Sequence, residues 1–382
     1  MYSVSDPLLA QFFNVGLGNY AGVSVTEQSA LGLSATWRAV SLISQTVASL
    51  PLRSLRDSDD GIRTRVASFL DNPGTADGPT QFEWTETVLV YLLLHGAAPL
   101  AHVYNGAGAL AGLTPFHPLA VEPKWETDTN GKRTGRKVFV VSLDDGTQRT
   151  FTQDEMTYIP ALSLDGLRGL SPITVARNSL GTAIAGDKAA GRMFGNGAMI
   201  AGLVTPEEDV TEDEAKLIKA GLDAKLTGTE NAGEIAVINR KLKFQPWTMS
   251  NEDAQFLESR QFSIEEVARW FGVPPHLLMQ TDKQTSWGSG VAEQNRGLSR
   301  TVLTPWCNRI EQRLSRLLRG QAFVEFDLTG LERGNPEGEI ELLIKQVEAG
   351  LLTVDEARRV RNLPPLPAAA AQEPPADEEV PA

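Results

Sequence analysis

The sequence predicts an α+β fold, and three observations predict it. Apolar residues recur at helical spacing in several separate stretches, SATWRAVSLISQTVASL (34–50) among them. Residues 98–160 instead alternate or are β-branched, and hairpin-type dipeptides cut them into short pieces. A compact unit at 200–246 reads strand, helix, strand, with a helix on each side. At roughly 100–200 residues per domain, 382 residues make two or three domains, or one large body with insertions.

The elements follow in order. Residues 1–23 are Gly/Ser/Val-rich without a period and read as a flexible arm. Ser34 is an N-cap candidate, and Trp37, Val40, Ile43 and Val47 recur at helical spacing behind it. Pro51 ends that helix, and LRSLRD continues as a strand. Asp71-Asn72-Pro73-Gly74 is a turn. Thr80 and Glu83 form a capping box that opens a helix to about Leu94. PLAHVY and KVFVVSL are strands, with turns at Asn105-Gly106, Asn130-Gly131 and Asp145-Gly146.

From Ile173 the texture changes. Residues 173–195 are helical but carry Ala183, Ala185, Gly186, Ala189, Ala190 and Gly191. Glycine weakens a helix by about 1 kcal/mol relative to alanine, so such a helix needs close neighbours. The unit at 200–246 has the strand AGLV, the acidic run EEDVTEDE, a capping box at Thr211/Glu214 and the strand EIAVI. A helix over 250–272 starts from Ser250 and has Phe256, Leu257, Ile264, Val267, Ala268 and Phe271 on its apolar side. Pro274 and Pro275 are read as its stop, and the polar loop DKQTSWGSG follows. The next helix, about 290–319, has the seam Leu303, Trp306/Cys307, Ile310, Leu314 and Leu317. Pro305 inside it removes the bond to the Thr301 carbonyl and predicts a kink. A helical pair closes the fold: 337–349 with Gly350 as the residue past its end, then 354–361 with a Thr353/Glu356 box. Residues 367–382 are Ala/Pro-rich, with four acids and no bases, and are expected to be disordered.

Composition excludes several classes. VLVYLLL, the longest apolar run, is far short of the ~20 residues a membrane span needs. MYSVSDPLLAQFF lacks a basic region, so no signal peptide is expected. The single Cys307 allows neither an intramolecular disulfide nor a cysteine metal cluster, and suits synthesis in a reducing compartment. Net charge is −13, which opposes tight grip on nucleic acid, because grip comes from Lys and Arg on phosphates. It does not oppose a surface that nucleic acid slides past.

Catalytic motifs are missing: GxxxxGK[ST], GxSxG and HExxH are not found. His95, His102, His117 and His276 show no ligand spacing, and no cofactor or metal site is expected. Gly16-Leu17-Gly18 and Gly106-Ala107-Gly108 lack dinucleotide spacing. Asp59-Asp60 and Asp144-Asp145 read as solvated turns, and 207–214 as a solvated acidic face without calcium-loop spacing. Arg309, Arg313 and Arg316 line one side of the long helix, with Arg296, Arg300 and Arg319 near. They read either as surface ion pairs or as a stripe facing a subunit or DNA.

The order of elements and several motifs resemble bacteriophage portal proteins of the HK97 type. The resemblance runs from about Ser34 to Pro367, through WRAVSLISQTVASLPL, GLSPITVAR, FGNGAMIAGLV, NAGEIAVI, FLESRQFSIEEVARWFGVPPHLL, TVLTPWCNRIEQRLSRLL and GLLTVDEARRVRNLPPLP. It implies a portal fold: an α/β wing (24–175), stem helices (176–199 and 248–279), a β-α-β clip between them (200–247), a tunnel loop (280–290), a kinked wing helix with a return strand (291–335), and a small helical crown (336–366). It implies a non-enzymatic ring of about twelve copies at one capsid vertex of a virion, assembled in the bacterial cytoplasm. Double-stranded DNA would pass through it without sequence-specific binding. The implied partners are the terminase large subunit, the major capsid protein, scaffold and a head–tail adaptor, with no membrane.

On that reading Asp282, Lys283, Gln284, Thr285, Ser286 and Trp287 face the channel, with Lys283 able to give one basic ring and Asp282 opposing it. Pro274, Pro275 and Pro305 shape the stem end and the kink, and Glu207, Glu208 and Asp209 of the clip could meet the terminase. The other readings are a different ring-forming head–tail adaptor, which the stem–clip–stem order and length oppose, or an enzyme with converging carboxylates.

Overall fold

A computed structural model of the chain describes residues 19–58, 63–75, 77–143, 145–195, 202–206, 211, 213, 214, 216, 242–246, 251–279, 297–328, 336–361 and 363–366. In chain order these form α1 (Glu27–Leu31), α2 (Ser34–Ala48), β1 (Leu52–Asp57), β2 (Arg63–Arg65), α3 (Gln81–His95), β3 (Ala97–Tyr104), β4 (Leu110–Pro115), β5 (Val121–Thr127), β6 (Arg133–Ser142), β7 (Gln148–Thr152) and β8 (Met156–Pro160). There follow α4 (Pro172–Val175), α5 (Arg177–Gly195), β9 (Gly202–Pro206), β10 (Leu242–Pro246), α6 (Asn251–Phe271), α7 (Thr304–Ser315), β11 (Ala322–Phe326), α8 (Pro336–Glu348) and α9 (Val354–Val360). No helix among the described residues is long and apolar enough to cross a membrane. The chain divides into two compact units, 1–41 with 92–97 and 160–282, and 42–91 with 98–159 and 283–382.

The second unit holds three small sheets, ordered β11-β1-β2, β4-β3-β8 and β5-β6-β7. β1 pairs antiparallel with β11, Leu52 opposite Phe326 and Ser54 opposite Val324, and all four side chains are buried. α7 packs on β11 through fully buried Ile310 and Leu314. Its polar side chains bind the strand as well: Glu311 Oε1 accepts from the Phe326 N–H at 2.8 Å, and Ser315 Oγ from that of Val324 at 2.9 Å. Burial raises the Glu311 pKa, partly offset by that hydrogen bond. In α3, Trp84, Val88 and Leu89 are fully buried, and Trp84 donates its indole N–H to the Leu113 carbonyl at 2.8 Å. Burial of such a side chain contributes about 1.5–3 kcal/mol.

The capping boxes read at Thr80 and Thr353 are in place, whereas Ser34 is the first residue of α2 and the Leu33 carbonyl accepts its first ladder bond, from Trp37. Glu83 accepts from the N–H and hydroxyl of Thr80, and Glu356 from those of Thr353. Gly350 (φ 69°) closes α8 with two return bonds, its N–H to Val347 and that of Leu351 to the Gln346 carbonyl. One turn and one strand differ from expectation. At Asn105-Gly106 the left-handed residue is Gly108, because Asn105 Oδ1 accepts from the N–H groups of Ala107 and Ala109 and widens the loop. β9 pairs antiparallel with β10, in LKFQP, a segment not foreseen as a strand. EIAVI lies outside the described residues.

Pro305 is accommodated differently from the predicted kink. Residues Ser299–Leu303 form a π-helical turn, and the Thr304 N–H bonds to the Ser299 carbonyl. α7 then starts a new ladder with Pro305 in its first turn, where no N–H partner is required. Hydroxyls occupy carbonyls at the transition: Thr301 to Gly297 at 2.7 Å and Thr304 to Ser299 at 2.9 Å. The break is therefore a change of helical pitch ahead of the proline.

Candidate functional site

The first unit carries two helices with a hairpin between them in sequence. α5 leads into β9, and β10 leads into α6, and the two helices pack on each other. Leu180, Ile184 and Ala190 of α5 are buried, as are Val267, Ala268 and Phe271 of α6. The small residues of α5 are not all explained by this packing. A Cβ placed on Gly186 or Gly191 would meet no described atom within 4 Å. Beside them, α5, α6 and the start of α2 line an open groove of about 890 Å³, which includes Ala183, Gly186, Ile264 and Phe262. Phe262 is 52% exposed, with the Arg269 guanidinium 5.3 Å from its ring centre.

α5 is anchored at its base by the GLSP stretch. Ser171 caps the Thr174 N–H and donates its hydroxyl to the Leu94 carbonyl at 2.6 Å. Gly169 lies against the backbone of Gly96 and Ala161, so close that a Cβ there would overlap the Gly96 carbonyl oxygen. Gly96 itself has φ 75° and sits against Leu170.

The end of α6 corrects the sequence reading. The helix is stopped by Gly272, not by the prolines. Gly272 is left-handed (φ 69°), its N–H bonds to the Arg269 carbonyl, and the Val273 N–H returns to that of Ala268 at 3.0 Å. This is a Schellman closure, with Val273 and Ala268 both buried. Pro274 and Pro275 then begin a 3-10 turn, Pro275–Leu278. The Arg38 Nε–H donates to the Leu277 carbonyl at 3.2 Å and fixes that turn to α2. Met279, 76% exposed and left-handed (φ 64°), ends the turn and re-aims the chain. Asp282, Lys283, Gln284, Thr285, Ser286 and Trp287 lie beyond it, outside the described residues, as do Glu207, Glu208 and Asp209. Sequence reasoning missed the Gly272 closure although its signal, Gly then an apolar residue then Pro, was present.

Cys307 is buried, and burial reinforced by the Glu311 charge pushes its thiol up to about 12. The thiol is therefore protonated at neutral pH. The site consists of a helical pair, an antiparallel strand pair between its members in sequence, and a hard helix stop at Gly272.

Comparison with known proteins finds relatives over most of the chain. Residues 34–362 match the family described as phage portal protein. The chain is 35% identical over 376 residues to the probable portal protein of Streptomyces phage phiC31, covering 95% of this chain and 81% of that one. It is 31% identical over 357 residues to the portal protein of Enterobacteria phage HK97, covering 90% and 82%. Among solved structures it is similar to a chain in the neck of an empty gene transfer agent particle computed with C6 symmetry (TM-score 0.66, 22% identity, 95% of this chain and all of that one). It is also similar to an HK97 family phage portal protein from Corynebacterium diphtheriae (TM-score 0.52, 20% identity, 82% and all).

Proposed function

The chain belongs to the phage portal protein family, a structural and non-enzymatic capsid component, and from that premise we propose a ring of about twelve copies at one capsid vertex of a virion. Its central channel admits double-stranded DNA during packaging and releases it during ejection. The observation that carries this reading is the order α5, β9/β10, α6, ended by the Gly272 closure. It supports a stem, a clip and a tunnel loop in the order the channel requires. Gly186 and Gly191, open on the side a neighbour would approach, support close packing between stems. Structural relatives solved within particle necks with C6 and C12 symmetry support a closed ring.

The chain supplies shape and charge, and a separate terminase supplies the energy of translocation, docking on the clip near Glu207, Glu208 and Asp209. The major capsid protein and scaffold hold the ring's outer edge, and a head–tail adaptor follows the clip. The −13 net charge favours passage over grip, since only clustered Lys and Arg hold phosphate tightly. Deleting 282–287 tests the assignment of the loop. Rings are expected to form as before, while DNA packaged or retained per particle drops. Full genome retention with the deletion would remove the loop from the channel.

A further inference from the structure

α7 and the turn after it place Arg309, Arg313 and Arg316 along one side of a helix end, with Arg319 following. Arg309 lies over the Trp306 ring, 5.6 Å from its centre. Arg313 is half-buried, and Arg316 and Arg319 are exposed. These last three line a cavity of about 680 Å³ in the second unit. Its floor is apolar, with Phe139 and Met156 each 1% exposed. Its polar wall is already satisfied. His102 Nε2 meets the Thr157 hydroxyl at 2.8 Å and Nδ1 the Asp154 carbonyl at 2.9 Å, which also accepts from the Tyr104 hydroxyl. The carboxylate of Asp154 is held by Arg136 at 2.7 Å.

Elsewhere in this unit some exposed arginines are paired, while Arg56, Arg133, Arg300, Arg359 and Arg361 show no ion pair among the described residues. Arg53 meets Asp327, Arg63 meets Glu325, Arg65 meets Asp71 and Arg149 meets Glu155. Among the described residues, Arg313, Arg316 and Arg319 have no ion pair and no side-chain hydrogen bond. Burial, then repulsion from Arg316 and Arg309, lowers the Arg313 pKa, yet a guanidinium does not shed its proton at any physiological pH. Three like charges line one cavity, one of them half-desolvated, and an anion entering it would lower their mutual repulsion.

We propose that carboxylates of a second copy of this chain enter this arginine-lined cavity, as one half of the contact between neighbours. The inference rests on the ring reading above. Charge complementarity selects the occupant: the chain has 48 acidic against 35 basic residues, so a neighbour presents carboxylates before anything else. A cavity on one copy and an acidic segment on the next make a heterologous contact, the kind that closes rings. A duplex fits less well. It needs a basic track to neutralise successive phosphates, and the other cation lining the cavity, Lys137, lies over the Trp125 ring, 5.2 Å from its centre.

The test uses the full chain with a benzophenone amino acid at position 319, together with the exposed-site variant R316E/R319E. Photolysis of the assembled protein is expected to link position 319 to an Asp- or Glu-bearing peptide of another copy. The variant is expected to lose ring population by about tenfold or more at low salt, the effect of placing like charges across an interface, with its circular dichroism unchanged. Wild-type rings with unimpaired variant rings and links only within one chain would overturn the contact and leave the ring. Variant rings that form normally but retain less DNA would overturn it in favour of phosphate. A wild-type chain that never forms rings would overturn the ring reading, and this contact with it.

Discussion

At the residue scale, two glycines shape the entry to α5 and the end of α6. Gly169 admits the Gly96 carbonyl at the base of α5, and Gly272 turns left-handed at the tip of α6. Gly169→Ala forces backbone apart in a packed site, and overpacking of this kind costs about 1–3 kcal/mol or more. The expected result is a lower thermal midpoint for the variant, read by circular dichroism, whereas Gly186→Ala, inside α5 with room for a Cβ, should raise it, since alanine favours a helix by about 1 kcal/mol over glycine. His102 adds a pH dependence. Burial, the largest influence, lowers its pKa against smaller opposing effects from the Asp154 carbonyl, Asp154 and Glu155. The unfolded chain then binds more protons just below the ordinary histidine value, so stability is full above about pH 6.5 and falls as pH drops toward the lowered folded pKa. His102→Gln should flatten that part of the stability–pH curve. An unchanged slope between pH 7 and pH 5 would show that His102 does not set it.

At the element scale, the π turn ahead of α7 changes what Pro305 is expected to do. In a helix interior a proline costs about 3 kcal/mol, and its removal would stabilise by a similar amount. In the first turn of α7 the N–H it lacks has no required partner. Pro305→Ala should therefore shift unfolding stability by less than about 1 kcal/mol, measured by denaturant titration. A gain near 3 kcal/mol would mean that the proline strains a continuous helix. The same element marks the limit of what sequence can tell. Capping boxes at Thr80 and Thr353 and the glycine end at Gly350 were legible because cap and partner lie within four residues. The π turn was not, since 299–303 carries an ordinary helical pattern and only the Thr301 and Thr304 hydroxyl bonds distinguish it. The β9–β10 pairing and the Gly96–Gly169 approach are contacts between distant segments, and no local pattern encodes their register. The helix stop was visible in FGVPP but was assigned to the more conspicuous prolines.

At the scale of the whole molecule, a single chain leaves several surfaces without a partner. The α5–α6 groove keeps Phe262 exposed, α8, α9 and the link between them leave Ile340, Leu342, Ile344 and Leu351 at 43–74% exposure, and Arg313, Arg316 and Arg319 have no ion pair among the described residues. Exposed apolar patches and unpaired cations of this kind suit an assembly better than an isolated chain. Two helices on either side of a strand-bearing segment were legible from periodicity, although β10 falls in LKFQP, a segment not foreseen as a strand. Residues 282–287 read in sequence as a polar segment and lie outside the described residues. The most direct test is native mass spectrometry with negative-stain imaging of the purified protein. The account predicts a particle of about 497 kDa, twelve chains of 41.4 kDa, with a central hole wide enough for a duplex about 20 Å across. A compact dimer with an occluded centre would contradict it.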